Sequence, residues 1–161
     1  MRAPNSGFTM VELMVVLAVL AVLATLAAPS FNQMIEGERI KGAANDLYAG
    51  LSLARSEAIK KNASMNLTAN AAADWTQGWK VLDPNTGNDV ADYSAVRGNL
   101  SIATSPAPLA SVIYRSSGRL QAGGTASFSI SGISPSTARC VCVSLSGRPS
   151  VVAGACTVTS C

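Results

Sequence analysis

Few residues in this 161-residue chain are of types and spacings that do chemistry. Histidine is absent, which removes the commonest general base and metal ligand. Serine is plentiful, yet no G-x-S-x-G elbow or S-x-x-K pair is present to activate one. Asp83, Asp89 and Asp92 flank a Gly/Asn-rich stretch, but they miss the D-x-[DN]-x-[DN]-G register of a calcium loop, and a solvated loop is the simpler reading. Cys140, Cys142, Cys156 and Cys161 lack the paired C-x-x-C spacing of a zinc site. An even number of clustered cysteines fits disulfides made in an oxidising compartment. No catalytic residue, metal or cofactor is therefore expected. Charge adds one feature to the net +3: from Tyr93 onward there are five arginines (Arg97, Arg115, Arg119, Arg139, Arg148) and no carboxylate. Such a half either meets phosphate or anionic lipid, or consists of scattered arginines solvating a sheet.

One carboxylate lies where it is costly. Leu13 to Ala28 is an uncharged apolar run that, extended back to Phe8, is about one bilayer-spanning helix long. Glu12 sits at its start, and a carboxylate within such a run costs roughly 2.5–3.5 kcal/mol at a helix centre. A secretory signal peptide and a plain membrane anchor both leave Glu12 without a reason. A snorkelling side chain near the end of the span remains open.

The elements that would position these residues follow from periodicity. Ile40, Ala44, Leu47, Leu51, Ala54 and Ala58 recur at steps of four and three, marking one apolar helical stripe. A helix from Phe8 to Lys61 would be about 80 Å long, more than any membrane needs. Pro29 lies inside it and cannot donate to Thr25, so a kink is expected there. After Asn62 the period becomes two: Met65–Ala69, Gly78–Leu82, Leu100–Ile102, Val112–Tyr114, Ala126–Ile130 and Val141–Leu145 read as short strands between turn-rich stretches. Short strands without a second helix argue for an antiparallel sheet whose apolar face covers the stripe, an α+β domain.

Gly7-Phe8-Thr9-Met10-Val11-Glu12-Leu13 resembles the processing site of type IV pilins and type II secretion pseudopilins. The resemblance implies a leader over residues 1–7, cleavage between Gly7 and Phe8 by a prepilin peptidase, and N-methylation of Phe8 by the same enzyme. It implies that residues 8–29 form the transmembrane and filament-core half of the helix, 30–62 its amphipathic half, and 63–161 a globular β domain with disulfides. It gives Glu12 a partner, the Phe8 ammonium of an adjacent subunit, in a core where an unpaired carboxylate is costly.

Further segments narrow the resemblance. Ala54-Arg55-Ser56-Glu57-Ala58-Ile59-Lys60-Lys61-Asn62 is similar to the helix end of the FimT/FimU minor pilins and GspH pseudopilins, and Trp75-Thr76-Gln77-Gly78-Trp79 to their W-x-x-G-W strand entry. Ser117-Gly118-Arg119-Leu120 and Ser146-Gly147-Arg148-Pro149 resemble their two Gly-Arg turns. The implied protein sits in the bacterial inner membrane as a single-pass chain with a periplasmic domain, then in the extracellular pilus. Its partners would be membrane lipid before assembly, the inner-membrane assembly platform, and other minor and major pilins. Some FimT proteins bind DNA through a Gly-Arg-x-Arg loop; here Ser150 replaces the second arginine, so DNA contact by Arg148 and Arg119 is expected to be weak.

Cys140 and Cys142 point to one face of a strand, which disfavours bridging them to each other. A three-residue Gly147-Arg148-Pro149 turn would set Cys140 opposite Cys156, leaving Cys142 for Cys161; the crossed pairing is the alternative. N-terminal sequencing and intact mass of membrane-extracted protein should give a mature chain beginning at Phe8, and a product beginning at Ser30 or at Met1 would contradict the leader.

Overall fold

The computed structural model describes residues 7–121, 124–133 and 137–157, excepting the side chains of 26–30. The element order is one helix, α1 (Met10–Lys61), followed by β1 (Met65–Ala71), β2 (Asp74–Leu82), β3 (Asp89–Tyr93), β4 (Ser101–Ser105), β5 (Ser111–Tyr114), β6 (Ala126–Ser131), β7 (Arg139–Val143) and β8 (Pro149–Ala153). The chain divides into two compact units between Ile35 and Glu36.

In the first unit every described side chain from Gly7 to Phe31 is exposed, including Leu13, Val15, Leu17, Val19 and Leu23. A helix apolar on all sides is normally buried in protein or lipid. Among the described residues no helix is long and apolar enough to cross a membrane. The apolar run continues into residues 26–28, whose side chains lie outside the description, as does that of Pro29 with its expected kink.

The second unit holds the core. Ile40, Ala44, Leu47, Leu51, Ala54 and Ala58 are at most 1% exposed, so the predicted stripe is buried along its length. Each leucine contributes about 1.5–3 kcal/mol of burial. Gly50 has a steric role rather than a conformational one. A Cβ there would meet Leu67 Cδ1 and Trp79 Nε1 at 3.2 Å, so its absence lets β1 and β2 approach the helix.

The helix closes in a Schellman arrangement. Asn62 adopts a left-handed φ of 49°, its N–H donates to Ile59 O at 3.2 Å, and Ala63 N–H donates to Ala58 O at 3.2 Å.

Where a single antiparallel sheet was expected, two four-stranded antiparallel sheets form, ordered β3-β2-β1-β5 and β4-β6-β7-β8. Trp75 and Phe128 join them across the core in an edge-to-face contact of 4.7 Å, and Trp75 Nε1 donates to Leu109 O at 2.7 Å. Gly78, the glycine of the W-x-x-G-W segment, has φ 90°, and a Cβ there would collide with the Tyr93 carbonyl oxygen. The motif thus lets the chain leaving β3 run close beside β2 at Gly78, where Val96 N–H donates to Thr76 O at 2.9 Å.

In the second sheet Val141 and Val143 face the core, and Cys140 and Cys142 face away, opposite Ser129 and Ser127. Cys140 is bridged to Cys156, with Cα atoms 4.9 Å apart. The route differs from the one expected. The β7–β8 turn centres on Leu145–Gly147, so Cys140 pairs in register with Val152, and Cys156 returns only after a further turn at Gly154, whose N–H donates to Ala138 O. The tail then lies over the outer face, with Cys156 N–H donating to Ser129 Oγ at 3.4 Å. Cys142 is also disulfide-bonded; Cys161, the partner expected for it, lies outside the described residues.

One buried charge ties helix to sheet. Asp83, 4% exposed, accepts from Lys61 Nζ at 3.1 Å and from Asn85 N–H at 3.0 Å. These bonds, Lys61 first, hold the Asp83 carboxyl below the usual carboxylate range despite the opposing effect of burial, and Asp83 in turn raises the Lys61 ammonium. A depressed acid stabilises the fold above its unfolded pKa and loses that contribution as pH falls through the folded one. A raised base stabilises below its unfolded pKa and loses the contribution as pH rises through the folded one. Asp83→Asn should therefore lower the thermal midpoint by a constant amount at neutral pH, and the gap to the native chain should narrow below about pH 4 and above about pH 10.5. Thermal melts of both proteins across pH check this.

Candidate functional site

The residues singled out from sequence gather at two places, one in each unit. At the N-terminus Thr9 is the N-cap of α1. Its Oγ1 accepts from Glu12 N–H at 3.2 Å, and its own N–H donates to Glu12 Oε2 at 3.4 Å. This is a reciprocal capping box, which places the carboxylate at the positive end of the helix dipole. The helix accordingly begins at Met10 rather than Phe8. The signal was legible as Thr-x-x-Glu, but the carboxylate was read as pairing with an adjacent subunit or snorkelling to the interface, and not as a cap.

Among the described residues no cation pairs with Glu12. Phe8 is 78% exposed, and nothing lies within 4 Å of a Cβ placed on Gly7. Among the described residues nothing obstructs the Gly7–Phe8 bond in front of the capped helix.

The second place is formed by the two Gly-Arg turns, which share one hydrogen-bond pattern. Arg115 N–H donates to Arg119 O and Gly118 N–H to Arg115 O; Ser144 N–H donates to Arg148 O and Gly147 N–H to Ser144 O. Each is a three-residue hairpin turn with glycine in the left-handed position, at φ 72° for Gly118 and 78° for Gly147. The turns pack against each other: a Cβ on Gly147 would collide with the Gly118 carbonyl oxygen and lie 3.2 Å from Arg119 Cα. Arg55 of the helix donates from Nε to the same Gly118 oxygen at 3.0 Å.

The contact brings Arg119 and Arg148, 29 positions apart, to adjoining exposed turns. Neither side chain makes a hydrogen bond or ion pair among the described residues. The Tyr114 hydroxyl is buried without a partner among the described residues, and burial pushes its pKa well above the ordinary range. Asp89 is engaged by Lys80 at 3.2 Å and Asp92 by Asn70 at 3.2 Å. Among the described residues no group of His, Cys, Asp or Glu is placed to hold a metal ion.

A long N-terminal helix opening on a capped glutamate and carrying two antiparallel sheets is the build of a pilin-type subunit. Residues 43–147, well over half of the chain, match the family described as type II transport protein GspH, and the chain belongs to that family. Residues 2–28 match the prokaryotic N-terminal methylation motif, the mark of a membrane-anchored precursor.

Among solved structures the chain is similar to the type IV minor pilin FimU of Pseudomonas aeruginosa, with TM-score 0.64 and 21% identity over 71% of this chain and 89% of that one. It is also similar to the minor pseudopilin EpsH from the type 2 secretion system of Vibrio cholerae, with TM-score 0.54 and 20% identity over 71% and 97%. Identities this low establish the fold alone. No curated protein sequence matches the chain. The protein is a pilin-type subunit of the GspH family, a class whose members associate with other pilin subunits, and not an enzyme.

The stacked turns yield a comparison. Gly87 also has a left-handed φ, 71°, but its Cβ position is open. Gly87→Ala should cost only the conformational penalty, about 1–2 kcal/mol. Gly147→Ala adds a collision with backbone and should lose about 2 kcal/mol or more beyond that. Urea denaturation of the two variants measures the difference.

Proposed function

We propose that the chain is a structural minor pilin of the FimU kind, incorporated into type IV pili within the complex that primes assembly and caps the tip. The observation that carries this reading is the first unit: a helix whose described side chains are exposed and apolar on every side, beginning with one carboxylate that pairs with no cation among the described residues.

Such a surface is compatible with lipid before assembly and with neighbouring helices afterwards. The prepilin peptidase cuts after Gly7 and methylates Phe8, and the chain rests as a single-pass inner-membrane protein with its second unit in the periplasm. On assembly the Phe8 ammonium of an adjacent subunit neutralises Glu12. In an apolar core that pairing is strongly favoured over an isolated carboxylate and selects one axial stagger between subunits. Pro29 supplies the break at which the helix yields during packing.

Two other readings rest on particular residues. The GspH family membership fits a type II secretion pseudopilin equally well in fold, and the neighbouring genes discriminate the two machines. The contact of the Gly-Arg turns favours a DNA-contacting tip, since Arg119 partly compensates for the arginine missing at Ser150. Two or three arginines give only non-specific duplex affinity, about 10⁻⁴–10⁻⁶ M, so DNA capture ranks below assembly.

The test is Glu12→Ala. The variant should be inserted, processed and folded, with its helix start weakened by about 1 kcal/mol through loss of the capping box, yet be largely absent from sheared filaments. Recovery in filaments at the native level would contradict the assembly role.

A further inference from the structure

The second unit carries a groove with a charge of each sign at its two ends. It is about 410 Å³ in volume and lies between α1 and the segment that follows β3. Arg39 and Arg97 line it together with Asp46 and Asp92, yet no arginine pairs with a carboxylate there among the described residues.

The two signs stay unpaired because they are held apart. Arg39 lies against Gly98, where a Cβ would come within 2.8 Å of Nη1, and Gly98 has a left-handed φ of 86°. Arg97 is the adjoining residue, so the two guanidiniums form a basic end. Asp46 stands two helical turns past Arg39, about 10 Å along the axis. Burial and, after it, the charge of Asp46 raise the Tyr93 phenol, so Asp46 is beside that ring. Asp92 accepts from Asn70 at 3.2 Å, which leaves Asp46 as the acid without a partner among the described residues. The other charges nearby are engaged elsewhere: Glu38 with Lys41 at 2.7 Å, Asp89 with Lys80 at 3.2 Å, and Glu36 against Gly132. Between the ends the groove is open, since a Cβ on Gly42 meets nothing within 4 Å.

A simple anion in this groove would face Asp46, and a simple cation would face the arginines. A zwitterion with its charges in the right order satisfies both ends. A phosphodiester bearing an ethanolamine tail has that order. Its phosphate oxygens accept from planar guanidiniums, and its primary ammonium supplies N–H donors to a carboxylate next to an aromatic ring. Two charge-assisted hydrogen bonds of about 2.8 Å each, with the ethanolamine bridge between them, fill the interval.

We propose that this groove binds the phosphoethanolamine headgroup of a membrane phospholipid, with phosphate on Arg39 and Arg97 and ammonium on Asp46. The sequence before the site favours a lipid over a soluble zwitterion. Residues 2–28 match the motif of a membrane-anchored precursor, and exposed Phe31, Met34 and Ile35 come between it and Arg39. The inference rests on the reading of the chain as membrane-resident before assembly, and names the lipid chemistry it meets there.

The test is native mass spectrometry of the full-length chain released from detergent micelles. The micelles carry equal amounts of phosphatidylethanolamine, phosphatidylcholine and phosphatidylglycerol with the same acyl chains. Acyl contacts are common to all three, so the ratio of retained lipids reads the headgroup. Phosphatidylethanolamine should be retained about tenfold over each of the others. Phosphatidylcholine has no N–H donor for Asp46, and phosphatidylglycerol has no cation. Arg39→Ala and Asp46→Ala should each bring the ratios near unity. Gly42→Leu should do the same by filling the groove, while a better helix former at that position keeps the fold. Equal retention by the native chain, a preference for phosphatidylglycerol, or a preference that survives Arg39→Ala and Gly42→Leu would overturn the site. Soluble glycerophosphoethanolamine bound as tightly as the lipid would overturn the lipid as the source of the headgroup. The filament reading fails separately, when the lipid preference is intact and the chain is missing from sheared filaments.

Discussion

The whole architecture depends on a change of apolar width along one helix. Up to Ala28 the sequence of α1 is apolar around its circumference; from Ile40 to Ala58 it is apolar on a single stripe. A stripe can be covered by the chain's own sheets, and it is. A full circumference cannot be covered by about a hundred remaining residues already committed to their own core, so its burial must come from other molecules. The split of the chain between Ile35 and Glu36 is the same fact seen in the contacts. Fold and function are thus set by one gradient: the second unit folds on itself, and the first makes the protein a component.

Much of this gradient was legible before any coordinates. The stripe could be read because helical periodicity is local, and every member of it is buried. The strands with alternating Val, Ile, Phe or Leu, such as Ala126–Ile130, were read for the same reason. β3 was missed because Asp89-Val90-Ala91-Asp92-Tyr93 carries little apolar signal; its strand state is decided by pairing with β2 and by Tyr93 stacking on Trp79 at 5.8 Å. β8 was missed because Gly147 and Pro149 read as punctuation, and its conformation is imposed by β7. With two strands unseen, one sheet was expected where there are two.

The site shows the same division between local and distant. Thr9 and Glu12 are three residues apart, so their mutual hydrogen bonds were available to sequence reasoning and were overlooked only because the carboxylate had been given another task. The two Gly-Arg turns were seen singly, but their contact was not, since nothing in a turn's own residues tells which distant backbone will press on its glycine. Asp83 is a third case. It reads as one of several loop aspartates, and only the end of α1, 22 positions earlier, makes it the buried anchor of Lys61.

The bridge between Cys140 and Cys156 encloses β8 in a covalent loop with a sequence separation of 16. Closing a loop of that size removes about 3 kcal/mol worth of freedom from the unfolded chain. Its topological effect is larger. A terminal hairpin with an open edge is the element most readily exchanged between identical chains, a strand of one completing the sheet of the other. Once the loop is closed, β8 cannot leave its own β7 to make that exchange. Oxidation therefore bars the entanglement of chains that the reduced hairpin would permit.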